Sequence, residues 1–317
     1  MKLISFDDIA KLNISPALCY QWVSEMIQQK ASAILPPKIS MKPDESIFYN
    51  VMPSLLMGLD EPCGGVKLVT RYPVRTPSLD SKILLFDFKE GKCQALLDGN
   101  WITAMRTGAV AAHSIKLLAK KDYSVLGLMG LGNTGRAALL VLACMEPKRR
   151  FTVKLLRYKG QEELFAERFA EYENLSFTYV DSVEELVRGT DVVISAVTYL
   201  SDDICADECF DEGVLVVPIH TRGFSNCDLF FDKVYADDYG HVHHFKYFER
   251  FKSFAETSDV VNAKAAGREN DRERILVYNI GVAMHDIYFA SQIYKMIEKM
   301  DTVKEIELLE PTDKFWV

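Results

Sequence analysis

The 317-residue chain lacks any apolar run long enough to cross a bilayer. Its longest charge-free stretch near the middle runs only from Tyr123 to Gly135 and stops at Arg136, where roughly 20 apolar residues would be needed. It also lacks a basic excess. With 37 Lys and Arg against 45 Asp and Glu, the formal net charge is -8. A nucleic-acid binder needs a positive face for phosphates, so that class is disfavoured, although a local cationic pocket for an anion is still allowed. The seven cysteines, Cys19, Cys63, Cys93, Cys144, Cys205, Cys209 and Cys227, are odd in number and scattered. No two of them are separated by two residues, so no disulfide framework, zinc ribbon or redox pair is expected. Met1 to Leu12 carries Asp7 and Asp8 and no apolar core of a secretory signal. Repeats and low-complexity segments are absent as well. These absences lead to the expectation of a soluble cytoplasmic protein with neither a membrane nor a nucleic-acid partner.

What is present is ordinary globular material, 49% hydrophobic and 26% charged. The length exceeds what one core usually serves, which suggests two domains. Residues 15–34 read as a helix. Strand-like pieces follow at Ile47 to Met52, Gly65 to Arg71 and Ser81 to Phe88, then a hairpin turn at 89–92 leading into Cys93 to Leu97. Residues 101–120 read as a second helix. From there strands and helices alternate: strand Ser124 to Met129, helix Arg136 to Met145, strand Phe151 to Leu156, helix Gln161 to Tyr172, strand Leu175 to Val180, helix Val183 to Gly189, then strands Asp191 to Val197 and Val214 to Ile219. Alternation of this kind predicts a parallel, doubly wound sheet. Residues 252–272 read as exposed helix or loop, and 281–300 as a last long helix.

The most specific motif is Gly130-Leu131-Gly132-Asn133-Thr134-Gly135, placed after one strand and opening a helix. That is the context of a dinucleotide fingerprint. Gly130 permits the tight turn, Gly132 lets the backbone approach a pyrophosphate, and Gly135 lets helix and strand pack closely. The helix N-terminus offers free N–H groups to phosphate. At the end of the next strand, where NAD sites place an acid, the chain reads Arg157-Tyr158-Lys159. Arg157 or Lys159 suits a 2′-phosphate, so NADP(H) is favoured over NAD(H).

Several further motifs occur in order: Pro37-Lys38, Val51-Met52-Pro53, Gly64-Gly65-Val66-Lys67, Leu97-Asp98-Gly99, Thr103-Ala104-Met105-Arg106-Thr107-Gly108-Ala109, Asp237-Asp238, and Asn279-Ile280-Gly281-Val282-Ala283 with Asp286. Together with the glycine turn, this arrangement resembles the ornithine cyclodeaminase/μ-crystallin family across nearly the whole chain. The resemblance implies an α/β subunit with a Rossmann dinucleotide-binding domain at 119–280. An α+β substrate and dimerisation domain is built from both chain ends, 1–118 and 281–317. It also implies a homodimer. Lys67 matches the family's substrate lysine and Arg106 its carboxylate-binding arginine, a role suited to a guanidinium that can hold both oxygens. Lys38 stands where many members carry a substrate-contacting arginine. Thr107 and Thr198 match positions close to the cofactor.

Two positions depart from the cyclodeaminases. Asn50 stands where they carry a glutamate, and His220 best matches their aspartate after the fifth strand, followed by Arg222. A histidine there can exchange a proton near neutral pH. The expected activity is therefore an NAD(P)-dependent oxidoreductase acting on a small carboxylate-bearing substrate. That substrate would be an amino acid or its imine, with Lys67 and His220 catalytic and Lys38, Asn50, Lys67 and Arg106 binding. The alternatives are cyclodeamination and a non-catalytic NADPH-dependent binding protein. His241-Val242-His243-His244 lacks neighbouring cysteines or a carboxylate triad, so no metal is expected.

Overall fold

The computed structural model describes residues 1–198, 200, 202–219, 227–298, 300 and 303–307, the side chains of 227 and 228 excepted. In chain order the elements begin with β1 (Lys2–Ile4), α1 (Phe6–Lys11), α2 (Pro16–Gln28), β2 (Ala33–Ile34), β3 (Ile39–Met41), β4 (Phe48–Leu56), β5 (Cys63–Arg71), β6 (Leu79–Asp87), β7 (Cys93–Asp98) and α3 (Asn100–Leu118). The alternating region holds β8 (Val125–Met129), α4 (Asn133–Met145), β9 (Phe151–Leu156), α5 (Glu162–Glu167), β10 (Leu175–Val180), α6 (Val183–Val187), β11 (Val192–Ser195), β12 (Leu215–Pro218), β13 (Lys233–Ala236), α7 (Tyr239–Val242), β14 (Phe254–Glu256), α8 (Thr257–Val261) and β15 (Ile275–Tyr278). Helix α9 (Ala283–Glu298) and β16 (Lys304–Glu305) end the described chain. Two compact units result, one of residues 1–13, 32–102 and 286–317, the other of 14–31 and 103–285. Residues 14–31 and 103–118 thus group with the alternating region, where the sequence reading had set them with the chain ends.

The first unit is built on a sheet in the order β16-β1-β7-β6-β5-β4-β2, with β3 also on β4. All pairs are antiparallel except β1 with β7. One face is buried: Met52, Lys67, Val69, Ile83, Leu85, Ala95 and Leu97 all point to it. A Cβ on Gly65, which shares this face, would lie 2.5 Å from the Leu84 carbonyl oxygen and 2.7 Å from the Ile287 methyl. The absence of that carbon lets α9 lie directly on the sheet. The start of α3 is fastened to β6, since Asn100 Oδ1 accepts the Ser81 amide at 2.9 Å and the Gly99 amide donates to Ser81 oxygen at 2.8 Å.

In the second unit eight parallel strands run β10-β9-β8-β11-β12-β15-β13-β14, the doubly wound arrangement read from the sequence. Strands β11, β12 and β15 are buried along their full length, as expected of strands covered on both faces. Strand β15 lies inside the sheet, and β14 and α8 fall within the segment read as exposed. A four-residue apolar run such as Ile275–Tyr278 carries no periodicity to mark it as a strand. Helix α2 stops at Gln28, well short of 34. Lys30 just beyond it forms ion pairs with Asp238 at 2.8 Å and Glu256 at 2.7 Å. Helix α4 starts at Asn133, three residues earlier than expected, directly on the glycine turn.

Helix α3 presses on α4 at Gly108, where a Cβ would lie 2.4 Å from the Ala137 carbonyl carbon. Replacing a mid-helix glycine by alanine ordinarily stabilises by roughly 1 kcal/mol. Gly108→Ala should reverse the sign and cost about 1–3 kcal/mol through backbone overpacking, read from urea unfolding midpoints. His113, also on α3, packs its ring 5.6 Å from that of Tyr20, and burial depresses its pKa from 6.5 to about 4. A depressed histidine is stabilising as the neutral form, so this contribution is full above pH 6.5 and is lost as pH falls toward 4. Its size is on the order of 3 kcal/mol. Unfolding curves at pH 7 and 4.5 should show that loss in the wild type and a smaller one in His113→Leu.

Candidate functional site

Strand β8 delivers the chain into the glycine turn at the C-terminal edge of the parallel sheet. Gly130 has φ +87, and a Cβ there would lie 2.4 Å from the Ala196 carbonyl carbon, just past β11. Only glycine fits both the angle and the space. A Cβ on Gly135 would lie 2.4 Å from Gly130 oxygen, so this glycine lets α4 close on the turn. Gly132 is different, since a Cβ there would meet nothing within 4 Å. It is the N-cap of α4 and brings no capping side chain. The first helical bond runs from the Arg136 amide to Gly132 oxygen at 3.0 Å, which leaves the amides of Asn133, Thr134 and Gly135 available in the first turn. An uncapped helix N-terminus facing open space through a bare Cα fits a dinucleotide pyrophosphate.

At the end of β9 the two cations differ. Arg157 pairs with Glu162 at 3.0 Å and Asp181 at 3.3 Å, and its guanidinium carbon sits 5.3 Å from the centre of the Tyr179 ring. The Lys159 ammonium lies 5.0 Å from the centre of the Tyr158 ring, on a backbone with φ +55. Thr198 is exposed, three residues beyond β11. Thr107 is buried and its hydroxyl donates to the Thr103 carbonyl one turn back at 2.6 Å.

In the first unit, Lys67 lies on β5 between Met52 and Ile83. Its Nζ stands 2.7 Å from Oδ2 of Asp286, with the two side chains 1% and 0% exposed. Asp286 precedes Ile287, the residue that rests against Gly65, so the close approach of α9 brings this carboxylate to the ammonium. The sequence reading noted Asp286 only as part of the motif that follows Asn279. Its only signal was the family resemblance, because nothing local links residue 286 to residue 67. Asn50 is on the same face of the sheet, two residues from Met52, and its Oδ1 lies 2.6 Å from the Ser40 hydroxyl. Lys38 is half-buried, one residue before β3. His220 and Arg222 lie outside the described residues.

Arg106 belongs to the second unit and is buried. A Cβ on Gly281, at φ +89, would lie 2.6 Å from Arg106 Nη1 and 3.2 Å from Nη2. The guanidinium therefore rests on a bare glycine. The Gly281 amide donates to Asp237 Oδ2 at 2.6 Å. Burial raises the Asp237 carboxyl above its ordinary value, against the opposing pull of His241 and of the Gly281 amide. For Asp238, burial also pushes upward, but the hydrogen bonds from His241 and Lys30 hold it below its ordinary value. His241 Nδ1 is 2.7 Å from Asp238 Oδ1. That pairing gives the first histidine of the His-Val-His-His run a partner within α7 and its cap. Among the described residues no three His, Cys, Asp or Glu side chains cluster in a way that could hold a metal ion, and no helix is long and apolar enough to cross a membrane.

A parallel sheet with a glycine cradle at its C-terminal edge defines a Rossmann-type dinucleotide-binding protein. The family model of the ornithine cyclodeaminase/mu-crystallin family matches residues 4–301, and the chain belongs to that family. It is 25% identical over 313 residues to the nodulation efficiency protein NfeD of Rhizobium meliloti, covering 95% of this chain and 96% of the relative. It is 28% identical over 280 residues to a Delta(1)-pyrroline-2-carboxylate reductase of Bacillus cereus, covering 81% and 84%. The structure of the Thermococcus litoralis Delta(1)-pyrroline-2-carboxylate reductase, in complex with NADH and L-proline, superposes with a TM-score of 0.84 at 25% identity. It covers 96% of this chain and 100% of that one.

A buried ion pair costs most when one partner is removed. Asp286→Asn, which strands the Lys67 ammonium, should destabilise by about 3–5 kcal/mol. The double variant Lys67→Met with Asp286→Leu should cost less than Asp286→Asn alone. Guanidinium unfolding of the variants measures both.

Proposed function

We propose that this protein is an NAD(P)-dependent oxidoreductase that interconverts a small amino acid and its imine. The observation that carries the reading is the wholly buried Lys67–Asp286 pair, in a chain whose second unit bears the open cradle at Gly132. A protein gains little stability from burying such a pair, so its retention fits a role for the ammonium in holding a substrate. When bound, the dinucleotide supplies or accepts the hydride at the substrate Cα. The residues of the chain position the substrate. Arg106 holds the carboxylate through both oxygens, Lys38 adds positive charge, and Lys67 orients the reacting carbon and nitrogen. His220 gives a proton to the nitrogen on reduction and takes it back on oxidation. Asn50 and His220 stand where a cyclodeaminase carries acids, which favours imine reduction or amino-acid dehydrogenation over ring closure with loss of ammonia. The B. cereus and T. litoralis relatives named for reduction of a cyclic imine support the same class.

On this reading Gly130, Gly132, Asn133, Thr134 and Gly135 hold the pyrophosphate, with Thr107 and Thr198 nearer the ribose and nicotinamide. NADP(H) is preferred over NAD(H), because no acid stands at residues 157–159. Lys159 is the better 2′-phosphate contact, since Arg157 is already paired with Glu162 and Asp181. A homodimer is supported by the outer face of the first sheet. There Leu55 and Leu68 are exposed, Val66, Leu84 and Phe86 are half-buried, and Ile39 and Met41 stand exposed beside them. A cytoplasmic setting is supported by the free thiols of Cys19, Cys63, Cys93, Cys144, Cys205 and Cys209.

Fluorescence titration should show NADPH binding more tightly than NADH, and Lys159→Ala should weaken NADPH about 5- to 10-fold, more than NADH, the loss of one charge-assisted contact. A panel of Delta(1)-pyrroline-2-carboxylate and keto acids with ammonium, each with NADPH, should show turnover of an imine or keto acid, and ornithine with NADP+ should show no ring closure with loss of ammonia. Tight cofactor binding without turnover of any member would instead identify a carrier.

A further inference from the structure

The Arg106 guanidinium lies against a turn of the chain. Residues 279–281 leave β15 at the C-terminal edge of the parallel sheet and are pinned in three directions. The Asn279 amide donates to the Pro218 carbonyl at the end of β12 at 2.9 Å. The Asn279 side chain meets the Ser114 hydroxyl on α3, with Nδ2 at 3.0 Å and Oδ1 at 3.1 Å. The Gly281 amide donates to Asp237 Oδ2, beyond the end of β13, at 2.6 Å. Ser114, Asn279 and Asp237 are all buried, at 1%, 1% and 5% exposure. Ser114 lies eight residues after Arg106 on the same helix, a little over two turns along. The Ser114–Asn279 contact therefore sets the register of α3 against the turn, and the Arg106 guanidinium comes down on Gly281. There a Cβ would stand 2.6 Å from Nη1, 3.2 Å from Nη2 and 3.3 Å from Cζ.

We propose that the pinned turn Asn279–Gly281, with Asp237 and Ser114 as its fixings, positions the carboxylate-binding guanidinium of Arg106 and so sets the protein's preference for substrates that carry a free carboxylate. The proposal rests on the reading of Arg106 as the carboxylate clamp. Gly281 leaves room for the guanidinium, and a Cβ there would collide with it. Asp237 holds the turn in place by accepting the amide of Gly281, a hydrogen bond to a charged or polar side chain that a purely apolar residue cannot make. A bidentate arginine is useful only when its plane is aimed, because two parallel hydrogen bonds fix direction as well as distance. Asp237, Asn279, Ser114 and Gly281 are thus positioning residues, acting through Arg106.

The test compares the imine or keto acid that the panel above shows to be turned over with its primary amide, as kcat/KM for each in the whole protein. NADPH titration reports whether each variant is folded and binds cofactor. Gly281→Ala should lower the ratio of acid to amide by about 10- to 100-fold, the scale of a misaimed binding group, with the loss appearing in KM for the acid. Asp237→Ala should lower it in the same direction, and Asp237→Asn, which restores an acceptor for the Gly281 amide, should recover a large part of it. Should Gly281→Ala fail to bind NADPH, the Asp237 pair decides the matter. If Arg106→Ala leaves the acid-to-amide ratio intact, or no acid is turned over at all, the clamp reading falls and the proposal with it. If Arg106→Ala abolishes the preference while Gly281→Ala and both Asp237 variants keep it, the clamp stands and the positioning proposal alone is overturned.

Discussion

An ammonium that water does not reach must have a negative partner in place whenever the chain is folded. Lys67 is such a group, and Asp286 supplies the charge at 2.7 Å. The two residues are 219 positions apart in sequence, so this one electrostatic requirement ties a central strand of the first sheet to the last helix of the chain. Much of that unit follows from satisfying it. Gly65 must be bare so that α9 can lie against the sheet. The buried face must carry Met52, Val69, Ile83 and Leu97 around the pair. The segment 286–307 must return to the sheet formed by residues 1–98, as the pairing of β16 with β1 also records. The desolvation penalty offsets much of the attraction, so the pair is a weak source of stability, while removing either charge from the completed arrangement is costly.

The second unit answers a different demand, the presentation of backbone N–H groups and a guanidinium at the C-terminal edge of a parallel sheet. Four strand ends contribute. Gly130 follows β8, Ala196 follows β11 and fills the space under Gly130, Asp237 follows β13, and Asn279 follows β15. Brief close approaches of backbone to backbone do the positioning, and side chains such as Asp237 and Ser114 hold them. Lys30, Asp238, His241 and Glu256 form a further polar network at the ends of β13 and β14. It draws the chain after α2 toward this same edge.

The sequence was most informative where function is local. The glycine turn, the strand before it and the helix after it are contiguous, so spacing alone identified the cradle, and β9 and β10 were read with the bounds the structure gives them. It was least informative where contacts are remote. Asp286 carried no local mark of its partnership with Lys67. Gly281 could be noted as part of a motif, but its use as a seat depends on a side chain 175 positions earlier. Strand β15 has four apolar residues and no periodic pattern. Helix α2 could not be ended at Gln28 without knowing that Lys30 is drawn to Asp238 and Glu256.

By itself, then, the amino-acid sequence determined the alternation of strands and helices, the glycine turn at residues 130–135 and the family to which the chain belongs, because each of these is written in neighbouring residues or in ordered short motifs. The tertiary structure alone decided which charges are paired and which backbones touch: Lys67 with Asp286, Arg106 on Gly281, Gly108 against Ala137. The physical reason is range. Hydrophobic periodicity and turn chemistry act over a few residues. Burial of a charge or omission of a Cβ acts on whatever the completed fold brings within a few ångströms, however far apart those groups are along the chain.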